Sequence, residues 1–135
     1  MHPTINGASK ALAYLGFVNG VDYALHQGQS EAVPMLQWLS AATEPNDAAI
    51  VAAELPAAKA HSIAANRAEC SRRIFERYPA GRQLSALAGL YDSANVATMT
   101  DWIAANIAAE NTAADAIEAA TTVAAVEAVT VAWPV

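Results

Sequence analysis

Among the side chains able to do chemistry, the guanidinium groups stand closest together. Arg67, Arg72, Arg73, Arg77 and Arg82 fall within sixteen positions and make up five of the seven basic residues. Phe75 and Tyr78 lie among them, and Arg72, Arg73 and Arg77 fall on adjacent faces of one expected helix. Interleaved cations and aromatic rings are what single-strand nucleic-acid binders use to neutralise phosphates and stack bases. Two features oppose that use. The formal net charge of −6 repels a polyanion. Glu69 and Glu76 stand four residues from Arg73 and Arg72, the spacing at which a helix pairs its own charges.

The remaining candidates are weaker. Cys70 lacks the activating neighbour that a nucleophile needs and falls on the apolar side of its helix, so a buried core thiol is expected. His2, His26 and His61 share no ligand spacing with each other or with the cysteine, and no metal site is expected. His61 and Cys70 are nine residues apart, ~13 Å along a helix, too far for a dyad on it. The carboxylates are scattered singly, with no pair placed to drive two pKa values apart. Phosphate-cradling glycine loops, nucleophile elbows and paired-histidine zinc motifs are missing from the sequence. Neither an enzyme, a cofactor nor a small-molecule substrate is therefore expected.

Charge is unevenly spread. From Gln83 onward there are six acids (Asp92, Asp101, Glu110, Asp115, Glu118 and Glu127) and no base. Such a chain can fold its acidic part onto its own arginines, or it can stack head to tail with other copies. About a quarter of the 135 residues are alanine, which forms helices readily but buries little area. That favours thin helical layers, close helix approach, or a core completed by a neighbour. One domain spanning 1–135 is expected, with an N-terminal helix and hairpin over 1–45 and a helical region over 46–135. No run reaches the ~18 apolar residues of a membrane span, and the first ten residues do not read as a secretion leader. A lone cysteine precludes an internal disulfide and suits a reducing cytoplasm.

The elements that must position these groups follow from periodicity. Ile5, Ala8, Leu12 and Leu15 predict a helix over 3–15. Gly16 and Asn19-Gly20 punctuate it. Alternating Val21, Tyr23 and Leu25 predict a strand over 21–27, a turn over 28–30 follows, and 33–39 is the expected returning strand, with Pro34 at an edge or strand start. Asn46 is a candidate N-cap. Pro56 either breaks or bends the next helix, and a long helix over 57–77 carries Ile63, Cys70 and Ile74 near one face. A helix over 82–91 carries Leu84, Leu87, Leu90 and Tyr91 on its apolar side. Residues 92–95 are a linker.

The last block, residues 98–134, reads TMTDWIAANIAAENTAADAIEAATTVAAVEAVTVAWP. Thr98 to Asp101 resembles a capping box. Met99, Ile103, Ile107, Ala114 and Ile117 form the expected stripe, and Thr121 or Thr122 caps a short helix over 123–129. Val131, Trp133 and Val135 alternate like a small strand or extended lid. Trp38, Trp102 and Trp133 should supply much of the core area. Trp133 is either internal core or an anchor for a partner.

Three stretches, PMLQWLSAATEPNDAAIVAAE, AECSRRIFERYPAGRQLSALAGLY and TDWIAANIAAENTAADAIEAATTVAAVEAVTVAWP, together resemble small bacteriophage tail-module proteins of the XkdW-like, tail-fibre-region group. The likeness covers residues 20–134 and is one of pattern; this chain departs from it in a less bulky, less charged helix over 57–68. It implies a short tail-module product, either held in the virion or assisting fibre assembly, and supplies no catalytic residues.

The fold class expected is mainly α, with a small N-terminal β-hairpin and three or four helices after it. The function expected is a tail-associated structural protein at the fibre or baseplate level, found in the virion and, during assembly, in the host cytoplasm. Its partners would be other tail proteins or copies of itself, with no membrane; nucleic acid is disfavoured. Trp102, Ile103, Ile107, Ile117 and Trp133 would make apolar contacts, and the five arginines would meet acidic surface. A tail-fibre assembly chaperone that binds and leaves, and a small regulatory or nucleic-acid-binding protein using the arginine helix, are the alternatives.

Overall fold

The computed structural model describes residues 5–27 and 34–135. Pro3, His2, Val33 and the expected turn over 28–30 lie outside them. The element order is α1 (Ile5–Tyr14), β1 (Tyr23–Gln27), β2 (Pro34–Trp38), α2 (Asp47–Arg77), α3 (Ala80–Leu87), α4 (Ser93–Ala119) and α5 (Val123–Glu127). The protein is therefore mainly α with one antiparallel hairpin, as the periodicity leads one to expect. By internal contacts the chain divides into two compact units, Met1–His61 with Ala120–Glu127 and Ser62–Ala119 with Ala128–Val135.

In the first unit, Ala8, Ala11 and Leu12 of α1 come to one face through helical spacing and are buried with Tyr23, Ile50 and Ala53. Phe17, Leu25, Leu36 and Trp38 pack against that cluster. The hairpin register pairs Tyr23 with Trp38 and Leu25 with Leu36, so one face of the ribbon is apolar. On the other, His26 and Gln37 share a hydrogen bond of 3.2 Å, leaving this histidine a surface role. The Phe17 and Trp38 rings meet edge to face at 4.9 Å. Pro34 is the first residue of β2, where no ladder donor is forfeited. Gly20, at φ +80°, makes the tight turn into β1.

Asn46 caps α2, its Oδ1 accepting from the Ala49 N–H at 2.8 Å. The helix then runs through Pro56 without interruption. Of the break or bend expected at Pro56, the break does not occur, because good helix formers on both sides carry the conformation past the single missing donor.

In the second unit, α3 begins after Pro79 and stops at Leu87 rather than Tyr91. Gly89, at φ +75°, takes the left-handed conformation. Its N–H donates to Ala86 O, and the Leu90 N–H donates to Ser85 O. That paired motif ends the helix and detaches Leu90 and Tyr91 from it. The start of α4 also differs from expectation. Asp92, not Thr98, is the cap, accepting from the Asn95 N–H at 2.9 Å. The Thr98 and Thr100 hydroxyls instead donate to carbonyls one turn back, at Ala94 and Val96. A carboxylate one residue ahead of a helix-competent run outcompetes a hydroxyl five residues inside it. Within Ala120–Glu127, Thr122 caps α5 through the Ala125 N–H. Residues 131–135 form no strand.

Candidate functional site

Along α4 the buried positions are Met99, Asn106, Glu110, Ala113 and Ile117, with Ile103 half-buried between them. Their spacing alternates four and three, the seam of a coiled-coil-like helix pair. Two of the positions are polar. Ile107, expected on the stripe, is 45% exposed, and Asn106 beside it is fully buried. The expected apolar line holds at Met99, Ile103 and Ile117 and is one residue off between them: the backbone places Asn106 and Ala113, with Glu110, on the seam where Ile107 and Ala114 were expected.

The opposing groups come from α2. Arg73 Nε donates to Asn106 Oδ1 at 3.1 Å, and the Asn106 amide donates to Trp102 O at 2.9 Å. Arg67 Nε lies 3.7 Å from Glu110 Oε1. The Arg77 guanidinium sits 4.6 Å from the centroid of the Trp102 ring. Arg67, Arg73 and Arg77 therefore meet Glu110, Asn106 and Trp102 in reverse order, so the two helices run antiparallel here. Asn106 satisfies both of its sides, as a buried amide must. Glu110 Oε1 and Trp102 Nε1 are buried without a hydrogen-bond partner among the described residues.

Arg73 reaches further. Its Nη2 donates to Pro134 O at 2.6 Å, and its guanidinium lies 5.4 Å from the Trp133 ring centroid. Trp133 is thus half-buried against its own chain rather than standing free. Cys70 lies on the same side of α2 and is buried. Burial raises its thiol pKa, the charge of Glu110 adds to the rise, and Arg73 opposes it. A thiol so placed stays protonated and unreactive near neutral pH.

Arg72 faces the other way. It holds Glu69 at 2.8 Å and also Glu76. The first link depresses the Glu69 carboxyl below its ordinary range, mainly through the Arg72 hydrogen bond, while the arginine is pushed up. The pairing expected between Glu69 and Arg73 does not form. Arg73 is drawn into the seam, and Arg72 takes both carboxylates.

Tyr78 joins the arginine segment to α3. Its ring meets Trp102 at 67° and 5.7 Å. Arg77 and Arg82 stand 5.8 and 6.0 Å from its centroid. Neither has a carboxylate within ion-pair distance among the described residues. On one side of Tyr78 is a cleft of about 280 Å³ with Arg82, Tyr91 and Asn95 at its rim and Ala86 and Met99 in its lining. A separate shallow hollow is lined by Arg72, Arg73, Glu76, Arg77 and Trp102. Beyond these, Leu84, Leu87 and Leu90 are 65%, 85% and 73% exposed.

The structure therefore brings together Arg67, Arg73, Arg77, Arg82, Trp102 and Trp133 of the expected site. Ile117 is buried, Ile103 half-buried, Arg72 exposed and paired within its own helix, and Ile107 turned outward. Asn106 and Glu110 were missed, and Tyr78 was noted only as a ring interleaved with the arginines. The four-three spacing through Met99, Ile103 and Ile117 was the signal available for the first two, since it passes through both polar positions. Among the described residues no helix is long and apolar enough to cross a membrane, and no three metal-ligating side chains converge. Comparison with known protein families, curated protein sequences and solved structures finds no match.

Proposed function

We propose that this protein is a structural component of a bacteriophage tail, at the fibre or baseplate level, that works by offering helix surface to other proteins. The observation that carries the assembly role is the leucine edge of α3. Leu84 and Leu87 lie on one side of that helix, Leu90 follows at its end, and all three face solvent. Contiguous apolar surface rimmed by polar groups marks a place where another protein sits. The tail assignment rests on the three-stretch resemblance. The seam supports the same role: Arg67, Arg73 and Arg77 join α2 to α4 within the chain, and none of these contacts covers the leucines of α3.

The test is particle composition. Washed, purified virions should contain the chain by mass spectrometry, and a Leu84→Ser/Leu87→Ser variant should fold but fail to enter them. A chain found with assembling fibres and missing from finished particles would make it the chaperone of the alternative reading. A nucleic-acid role has one observation in its favour, the Arg77 and Arg82 guanidiniums set beside aromatic rings. It requires DNA or RNA affinity that falls steeply with salt, and absence of binding at low salt dismisses it.

A further inference from the structure

We infer that the Arg77–Tyr78–Arg82 corner docks the outer face of α4 from a second copy of this chain, making a head-to-tail contact. The inference rests on the assembly role proposed above and names the partner. Both guanidiniums lie against the Tyr78 ring, and Arg77 also lies over Trp102. The rings limit the space each cation can explore, and among the described residues no hydrogen bond or carboxylate occupies its side-chain donors. Both cations stand close to one ring centroid, so they are at most about 12 Å apart. A guanidinium whose neighbour is an aromatic ring spends none of its N–H donors on that ring's carbon atoms and keeps them for a carboxylate.

The complementary surface is on the same chain. Asp101, Ala104, Ala108, Asn111 and Asp115 follow helical spacing along α4 and are all exposed. No base occurs anywhere from Gln83 onward. Asp101 and Asp115 make no ion pair among the described residues. The alanines between them permit close approach of another helix. Asp115 and Asn111, one turn apart, offer a carboxylate and an amide oxygen at a separation of roughly 6 Å, which two cations within about 12 Å can bracket. A polyanion fits the pair less well, because the remaining charge of the chain repels it. The two surfaces differ, so the contact is heterologous: a joined pair keeps one corner and one face free, and growth continues until a ring closes or a partner caps it.

The experiment is light scattering of the full-length chain over a concentration series. The wild type should exceed the 14.0 kDa of one chain as concentration rises, and the excess should shrink with added salt. Arg77→Glu/Arg82→Glu should remain at one chain mass, as should Asp101→Arg/Asp115→Arg, with both retaining wild-type circular dichroism. Mixed, the first supplies an intact α4 face and the second an intact arginine corner, so the mixture should rise above one chain mass although neither variant does so alone. If a variant loses its helical spectrum, Arg77→Ala/Arg82→Ala and Asp115→Asn replace it, with the same outcomes required. A wild type that stays monomeric, an arginine variant that still associates, a mixture that gains no mass, or DNA binding by the arginine corner overturns the inference. A monomer still found in washed virions would remove self-docking alone; a self-associating chain missing from them would remove the tail assignment alone.

Discussion

Arg73 of α2 and Asn106 of α4 meet in the second unit, Nε to Oδ1 at 3.1 Å, and the amide passes the link on to Trp102 O at 2.9 Å. A fully buried asparagine with both ends engaged ties the two helices in one register, since sliding either would strand the amide and the guanidinium together.

Replacing Asn106 by Ala should therefore destabilise the second unit by about 1–3 kcal/mol, because Arg73 Nε is left without its acceptor in a partly buried setting. Urea unfolding of the two proteins checks it. A midpoint unchanged from wild type would mean that the amide contributes nothing to the helix pair.

Trp133 lies under the Arg73 guanidinium at 5.4 Å while Pro134 O accepts from the same arginine. Trp133→Ala should cost roughly 1–3 kcal/mol, less than a fully buried tryptophan, since the ring is half-exposed. Thermal melting followed by circular dichroism would show the loss. Were Trp133 solely an anchor for another protein, the melting temperature would not move.

The exposed leucines should behave in the opposite way. Leu87, at 85% exposure, has little to lose on truncation, so Leu87→Ser should change stability by less than about 0.5 kcal/mol. Its effect should appear in incorporation into particles. A large drop in stability would place Leu87 in the core and remove the case for an assembly edge.

Cys70 gives a pH signature. Burial, helped by Glu110, holds the folded thiol above its ordinary value of 9.0. The folded state thus binds the proton more tightly than the unfolded one. This contribution to stability is fully present below pH 9.0 and is lost as the pH rises through the folded value. Denaturant midpoints should fall on the alkaline side in the wild type and fall less in Cys70→Ala. Alkylation by iodoacetamide near neutral pH should be slow until the chain unfolds; rapid native labelling would contradict the burial.

Pro56 lies well inside α2, where it withholds one backbone donor. Pro56→Ala should restore that hydrogen bond and raise stability by on the order of 1–3 kcal/mol. Calorimetry of the variant is the check, and a destabilised protein would show that the ring's own packing outweighs the missing bond.

Local chemistry alone determined much of this chain. The Asn46 cap, the alternation of Tyr23 and Leu25, the Thr122 cap and the run of helices all follow from residue type and near-neighbour spacing, because each depends on geometry set within a turn or two. Tertiary structure decided the rest. Asn106 and Glu110 count as surface residues until another helix supplies Arg73 and Arg67, and Ile107 counts as core until they occupy the seam. Arg73 could have paired with Glu69 one turn away, yet the longer-range acceptors at Asn106 and Pro134 hold it. Leu84 and Leu87 follow an apolar helical pattern and still face solvent, because spacing defines a face of a helix but not what covers it. A polar side chain is buried only where a distant part of the chain meets its hydrogen bonds, and that meeting exists only once the chain has folded.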